Sequence, residues 1–319
     1  MNSSKAAPTS GIGAAILNAL LAHPARPSLV LLARDADALD RAVLTAQDHG
    51  LRAHGIHIDL ADFVSIRHAF TVLKEAADGG QIAPIDVAIL NAGAQFTNRR
   101  NVSAQGYELT FAVNVIAQHL MLHELEPLLS PRAHAVVMGS STHRGKRASF
   151  NLVPDPQWGE PAVLASAVPN HTEPAREAQE RAEGGVAYAT SKLALVTLAH
   201  DWAARWGQSG HRVNTYDPGL VPGTGLGRDL PAYMNWVWKN LMPAMRVLPG
   251  ASTPTISARH AVELAMADRH PDMNDGYVEI GEITNAEPIT FGAERRRALW
   301  DWLEVAVAGT TFRDTWSGK

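Results

Sequence analysis

Asp86-Val87-Ala88-Ile89-Leu90, followed at once by Asn91-Ala92-Gly93, is the stretch that decides how the chain is read. An apolar run this short, rich in branched side chains and closed by a turn of small residues, is the pattern of a buried strand rather than a helix. Runs of the same kind stand at Ser28 to Ala33, His54 to Ile58, Ala133 to Met138 and Arg212 to Tyr216. Between them lie longer segments with helical periodicity, at 11–23, 36–49, 61–76, 103–128 and 183–206. Strand and helix in alternation build βαβ units, and those predict an α/β protein whose parallel sheet is covered on both faces. The tail adds a helix near 257–268, a strand at 277–280 and an amphipathic helix around 293–307, and no internal repeat interrupts the pattern.

The 319 residues, 46% apolar and 19% charged, suit one domain spanning 1–319. A net charge of -4 with no long block of like charge gives no reason to expect nucleic acid or an anionic membrane as partner. Small neutral ligands fit better. The chain has no cysteine, which excludes disulfides, thiolate nucleophiles and cysteine-ligated metals. The first residues carry no apolar signal region, and no run approaches the roughly 18 to 20 apolar residues of a membrane span, so the expected location is cytoplasmic. Residues 145–184, rich in Pro, Ala and Glu, are too long for an ordinary connection and read as an insertion.

Tyr188 and Lys192 lie four apart near the start of an apolar helical segment, so both project from one face. A cation so placed can lower a phenol's pKa and hold a hydroxyl, the makings of a proton-transfer site; the bland reading is a solvated helix face. Thr9-Ser10-Gly11-Ile12-Gly13 opens the first helix, where glycines let backbone amides approach a phosphate under the positive end of the dipole. A plain turn with an N-cap reads equally well. Arg34 follows the first clear strand, where an arginine favours a 2′-phosphate over a free ribose. Asp59, with Leu60 after it, ends the next strand and serves either an adenine or as an N-cap. Ser140 and Ser141 close another strand, where open α/β sheets bind ligands. Asn114 is an amide inside an apolar helix, costly unless bonded. His119 and His123 have metal-ligand spacing, but no third ligand with convincing spacing follows, so no metal is expected. His143 reads as a loop histidine.

Taken in order, these motifs resemble the short-chain dehydrogenase/reductase family over nearly the whole chain. Thr9 to Gly13 is similar to the end of its T-G-x-x-x-G-x-G turn, Asn91-Ala92-Gly93 to its N-A-G, Asn114 to its helix asparagine, Ser141 to its active serine and Tyr188/Lys192 to its Y-x-x-x-K. Pro218-Gly219 resembles the P-G after the sixth strand, and the run from Asp217 to Leu226 is similar to the branch of retinol dehydrogenases and protochlorophyllide reductases. The resemblance implies a Rossmann-like, doubly wound sheet and NADP(H), rather than NAD(H), as cofactor. It implies a carbonyl–alcohol oxidoreductase, or one reducing a double bond, with Tyr188 as general acid. Lys192 would lower the pKa of Tyr188 and hold the nicotinamide ribose, Ser141 would orient the substrate oxygen, and Asn114 would hold a relay water. Thr224 would reach the carboxamide. Relatives pair through the helices at 103–128 and 183–206, which implies a homodimer or homotetramer with His119, His123, Trp202 and Trp206 at its interface.

Two departures follow. The family begins with an apolar strand leading into Thr-Gly; here Met1 to Lys5 precede Ala6 and Ala7, and Pro8 offers no amide to a phosphate. The central strand is thus expected to be missing, which would expose the edges of its two neighbours. A turn so altered leaves as the alternative non-redox chemistry, an isomerisation or cyclisation, or a binding-only role. The segment 223–250, with Tyr233, Met234, Trp236, Trp238 and Met242, is the expected substrate lid and suggests an apolar small molecule; a subunit contact is its bland alternative.

Overall fold

The structure, a computed structural model, describes residues 9–167, 177–221 and 250–308. Helix α1 (Gly11–Leu21) leads to β1 (Leu29–Ala33), α2 (Ala36–Asp48), β2 (Ala53–His57), α3 (Phe63–Asp78) and β3 (Ile85–Leu90). A short α4 (Leu109–Phe111) passes through a π-helical turn at Ala112–Ile116 into α5 (Ala117–Leu125), then β4 (Leu129–Met138). After α6 (Pro161–Leu164) come the long α7 (Glu177–Gly207), β5 (Arg212–Asp217), α8 (Pro254–Ala265), β6 (Tyr277–Glu279), β7 (Glu282–Thr284) and α9 (Ala293–Ala308). This is a Rossmann-like α/β fold with a parallel sheet, as the alternation of runs implied.

Local chemistry sets the boundaries. Asp35, Asp62 and Thr253 cap α2, α3 and α8 by accepting from Ala38, Val64 and Ile256 amides. Strands β4 and β5 lie in the middle of the sheet, and their inner residues Ala133 to Met138 and Val213 to Asp217 are buried on both faces. A strand missed from the sequence is β7, which returns antiparallel on β6 through Ile280 and Gly281, both at positive φ.

The sheet is interrupted. Strands β1 and β2 form a parallel pair by themselves, while β3-β4-β5-β6-β7 form a second sheet, parallel except for β7. Among the described residues no strand lies between β1 and β3, where the missing central strand was expected. Val87, Ala88 and Ile89 of β3 are consequently half-buried, unlike the interior strands beside them.

The expected interface residues lie elsewhere. Trp202, Trp206 and His119 are buried within this one chain, because α9 covers α5 and α7 and brings Trp300 to 5.1 Å from the Trp202 ring. That corrects their reading as a subunit contact.

Candidate active site

Helix α7 carries Tyr188 and Lys192 on one face, and both are buried. The Lys192 ammonium lies 5.9 Å from the Tyr188 ring centre and donates to the Met138 carbonyl at 2.6 Å, at the carboxyl end of β4. The Tyr188 hydroxyl shares a hydrogen bond with Ser140. A serine brought to the phenol is therefore Ser140, the neighbour of the expected Ser141. Ser140 continues the extended backbone of β4, with φ -170°, whereas Ser141 begins a 3-10 turn.

Asn114 sits in the π-helical turn, fully buried. Its carbonyl accepts from the Ala94 amide at 2.7 Å, while its amide group donates to the Ala94 carbonyl at 2.8 Å and to Ser191 Oγ at 2.9 Å. Both amide hydrogens and the side-chain carbonyl are thus engaged within the protein. Asn114 clamps the turn after β3 to the helix of Tyr188. π-Turns inside helices often mark functional sites, and here the turn supplies the register that aims Asn114 at both neighbours.

Charge at the site runs against one expectation. Burial pushes the Tyr188 phenol up to about 12, and the buried Asp217 carboxylate adds to the rise. Burial also lowers Lys192 to about 8, against the pull of Asp217. Lys192 does not lower the phenol here, because its ammonium is turned to Met138 and desolvation dominates. The phenol is held protonated, the state a proton donor needs.

Asp217 was quoted in the sequence only as part of a motif, and its role was missed. It is buried at the end of β5, accepts from the Tyr277 hydroxyl at 2.7 Å and from the Gly219 amide at 2.9 Å, and burial raises it to about 6. Gly219, at φ +71°, makes the turn that Pro218 enters. His143, in the 3-10 turn after β4, is a buried clamp: its ring bonds the Ser140 carbonyl at 2.7 Å and the Glu287 amide at 3.1 Å. Burial lowers it to about 4, so it stays neutral.

A cavity of 790 Å³ reaches the carboxyl ends of the strands, and its lining includes Gly13, Arg34, Asp59, Asn91 and Gly93. Leu60 and Ala92 line it too. The N-terminus of α1 has neither a side-chain cap bond nor an acidic residue in its first turn, so the amides of Gly11, Ile12 and Gly13 beside Ser10 suit an anion. At Gly93 a Cβ would come within 3.3 Å of Asn114 Oδ1 and 3.5 Å of Lys192 Nζ. The turn there must stay bare, which suits the close approach of a flat ring. Asp59 is not the cap of α3: it accepts from Ala61, and Asp62 has that task. Thr224 and the expected lid side chains lie outside the described residues.

Part of the insertion packs on the same helix. The Gln157 amide donates to Thr190 Oγ1 at 2.9 Å, and Pro154 sits where a Cβ on Gly185 would fall.

His119, His123 and Glu304 bring ligand-type atoms within 4.8 Å of one another, so the third group missed in sequence comes from α9. Trp202 Nε1, which can only donate, bonds His119 Nδ1 at 3.2 Å. The ring proton of neutral His119 is then on Nε2, facing Glu304 at 3.3 Å, and that tautomer does not ligate through Nε2.

Comparison with known proteins bears on the family and the fold. The family model described as short chain dehydrogenase matches residues 7–153. The chain is 23% identical over 251 residues to the WW domain-containing oxidoreductase of Drosophila melanogaster, covering 79% of this chain and 54% of that protein, so it spans about half of that relative's length. It is 25% identical over 278 residues to retinol dehydrogenase 13 of Homo sapiens, covering 86% and 75% of the two. Among solved structures, the angucycline C-6 ketoreductase LanV with bound NADP superposes with a TM-score of 0.62 at 18% identity, covering 86% of this chain and 91% of that one. That last likeness is one of fold. These likenesses place the chain with the short-chain dehydrogenase/reductase family.

Proposed function

We propose that the protein is an NADP(H)-dependent oxidoreductase that interconverts a carbonyl and an alcohol on an apolar small molecule. The observation that carries the reading is the buried set of Tyr188, Ser140 and Lys192 at the carboxyl ends of the strands, beside a cavity that reaches Gly13 and Arg34. The residues present fit a dinucleotide. The α1 amides would take the pyrophosphate, Arg34 the 2′-phosphate, and the bare turn at Gly93 the nicotinamide end. When bound, the cofactor supplies the hydride.

The chain supplies the proton and the alignment. Tyr188, kept protonated by burial, gives its hydroxyl proton to the oxygen of a carbonyl held within hydrogen-bond reach. Ser140 Oγ, already bonded to that hydroxyl, orients the same oxygen. Lys192, buried 5.9 Å from the Tyr188 ring centre, would hold the nicotinamide ribose through its ammonium. Asn114 fixes the distance between α7 and the turn at Ala94 on which all of this depends. The relative retinol dehydrogenase 13 has an apolar alcohol in its name, which supports an apolar small molecule as the substrate class.

The test is Tyr188→Phe, which keeps the ring and removes the acid. A panel of aromatic and polycyclic ketones with NADPH is expected to show turnover lowered at least about 100-fold. Turnover within a few-fold of the parent would sink the proposed mechanism.

A further inference from the structure

Asp217 is a buried carboxylate for which the proposed reaction has no use. Side chains of β5 alternate between the faces of the sheet: Tyr216 belongs to the cluster with Met138, Val278 and α8, whereas Val213 belongs to the cluster with Ala199 and Trp202 of α7. Asp217, four residues on from Val213, therefore faces α7. Each of its oxygens has a donor, the Tyr277 hydroxyl at 2.7 Å and the Gly219 amide at 2.9 Å. His143 fixes the direction of the first bond. The Glu287 amide can only donate to Nε2 of His143, so the ring proton is on Nδ1, between the Ser140 carbonyl at 2.7 Å and the Tyr277 oxygen at 3.4 Å. The hydroxyl hydrogen of Tyr277 is thus left for Asp217. A donor on each oxygen suits an ionised carboxylate, and a charge that is 1% exposed calls for an opposite charge nearby.

The charged and titratable groups around it are Tyr277 and Glu279 from β6, His143 and Arg144 from the 3-10 turn after β4, and Tyr188 and Lys192 from α7. His143 is neutral, both phenols keep their protons, and the Arg144 guanidinium is bound to Glu279 at 2.6 Å. Lys192 is the cation that remains. Its ammonium donates to the Met138 carbonyl, and Met138 pairs with Tyr216, the residue before Asp217. The Gly139 amide donates to the Tyr216 carbonyl at 2.8 Å, so the two strands stay joined up to this point. We propose that Asp217 is the counterion of Lys192, a positioning residue that keeps the ammonium charged and in place, while Tyr277 and Gly219 hold the carboxylate. Its bearing on the reaction rests on the function proposed above; the ion pair is testable without it. The opposite charge offsets desolvation, and without it the ammonium would give up its proton at lower pH.

The test is a magnetic-resonance titration of the full chain with isotope-labelled lysines, the Lys192 signal being the one lost in Lys192→Arg. Asp217→Asn is expected to move the Lys192 midpoint down by at least about one pH unit, and the alkaline fall of kcat/KM down with it. In the parent the same signal is expected to show a second, smaller step near pH 6, where Asp217 takes its proton. Tyr277→Phe removes a donor to the carboxylate and is expected to shift that step to higher pH. An unmoved Lys192 midpoint in folded Asp217→Asn would overturn the proposal. So would a parent signal that stays flat through pH 6, the result that decides if Asp217→Asn does not fold. If turnover survives Tyr188→Phe while the Lys192 midpoint still moves, the reaction assigned to the site fails and the ion pair stands.

Discussion

At the residue scale, the site works through burial. Lys192, lowered to about 8 by desolvation, loses its proton above that pH, while Tyr188, raised to about 12, keeps its own. Ketone reduction is therefore expected to hold steady below pH 8 and to fall about tenfold per unit above it, read as kcat/KM against pH. A profile unchanged up to pH 9.5 would contradict the role of Lys192. The pairing of Tyr188 with Lys192 was legible because spacing on a helix fixes the shared face. The partner serine was not: Ser140 and Ser141 are adjacent, and their spacing from Tyr188 does not decide which hydroxyl meets the phenol. Asp217 escaped notice for a like reason, since its burial follows from β6, sixty residues away, which brings Tyr277 to it.

At the element scale, α7 is held by small residues and one amide. A Cβ on Gly184 would overlap the Phe96 carbonyl, so Gly184→Ala is expected to destabilise by about 1–3 kcal/mol, seen as a lower urea midpoint. Asn114→Ala removes three hydrogen bonds and leaves the Ala94 main-chain groups buried without a partner. A loss of about 1–3 kcal/mol in the same assay is expected, with activity reduced through the displaced turn. Wild-type stability in this variant would show that the clamp is not what joins the turn to α7. Most helices were legible within a few residues because their periodicity is long. The segment at 103–128 was not, being split by the π-turn that the buried amide of Asn114 requires.

At the scale of the whole molecule, stability and sheet continuity are the issues. His119, His134 and His143 are buried neutral, with burial lowering them to about 3, 4 and 4. In the unfolded chain they protonate near 6.5, so that state binds more protons and the stability present above pH 6.5 is lost as pH falls toward 4. Asp217, raised to about 6, and Glu108, also raised by burial, oppose this over part of the window, two groups against three. The urea midpoint is expected to be lower at pH 4.5 than at pH 7.5, by ~2 kcal/mol or more in stability. Trp202, fully buried under α9, is expected to cost about 3–5 kcal/mol as Trp202→Ala. That burial was hidden in the sequence because the helix covering it begins some ninety residues later. The gap beside β1 among the described residues was foreseen only through the family resemblance, since the pattern of apolar runs does not show which strands are neighbours. Calorimetric titration of the nucleotide-free protein with NADPH and, separately, with NADH tests the central claim most directly. Micromolar NADPH binding, at least about tenfold tighter than NADH, is the predicted result; no binding of either would contradict it.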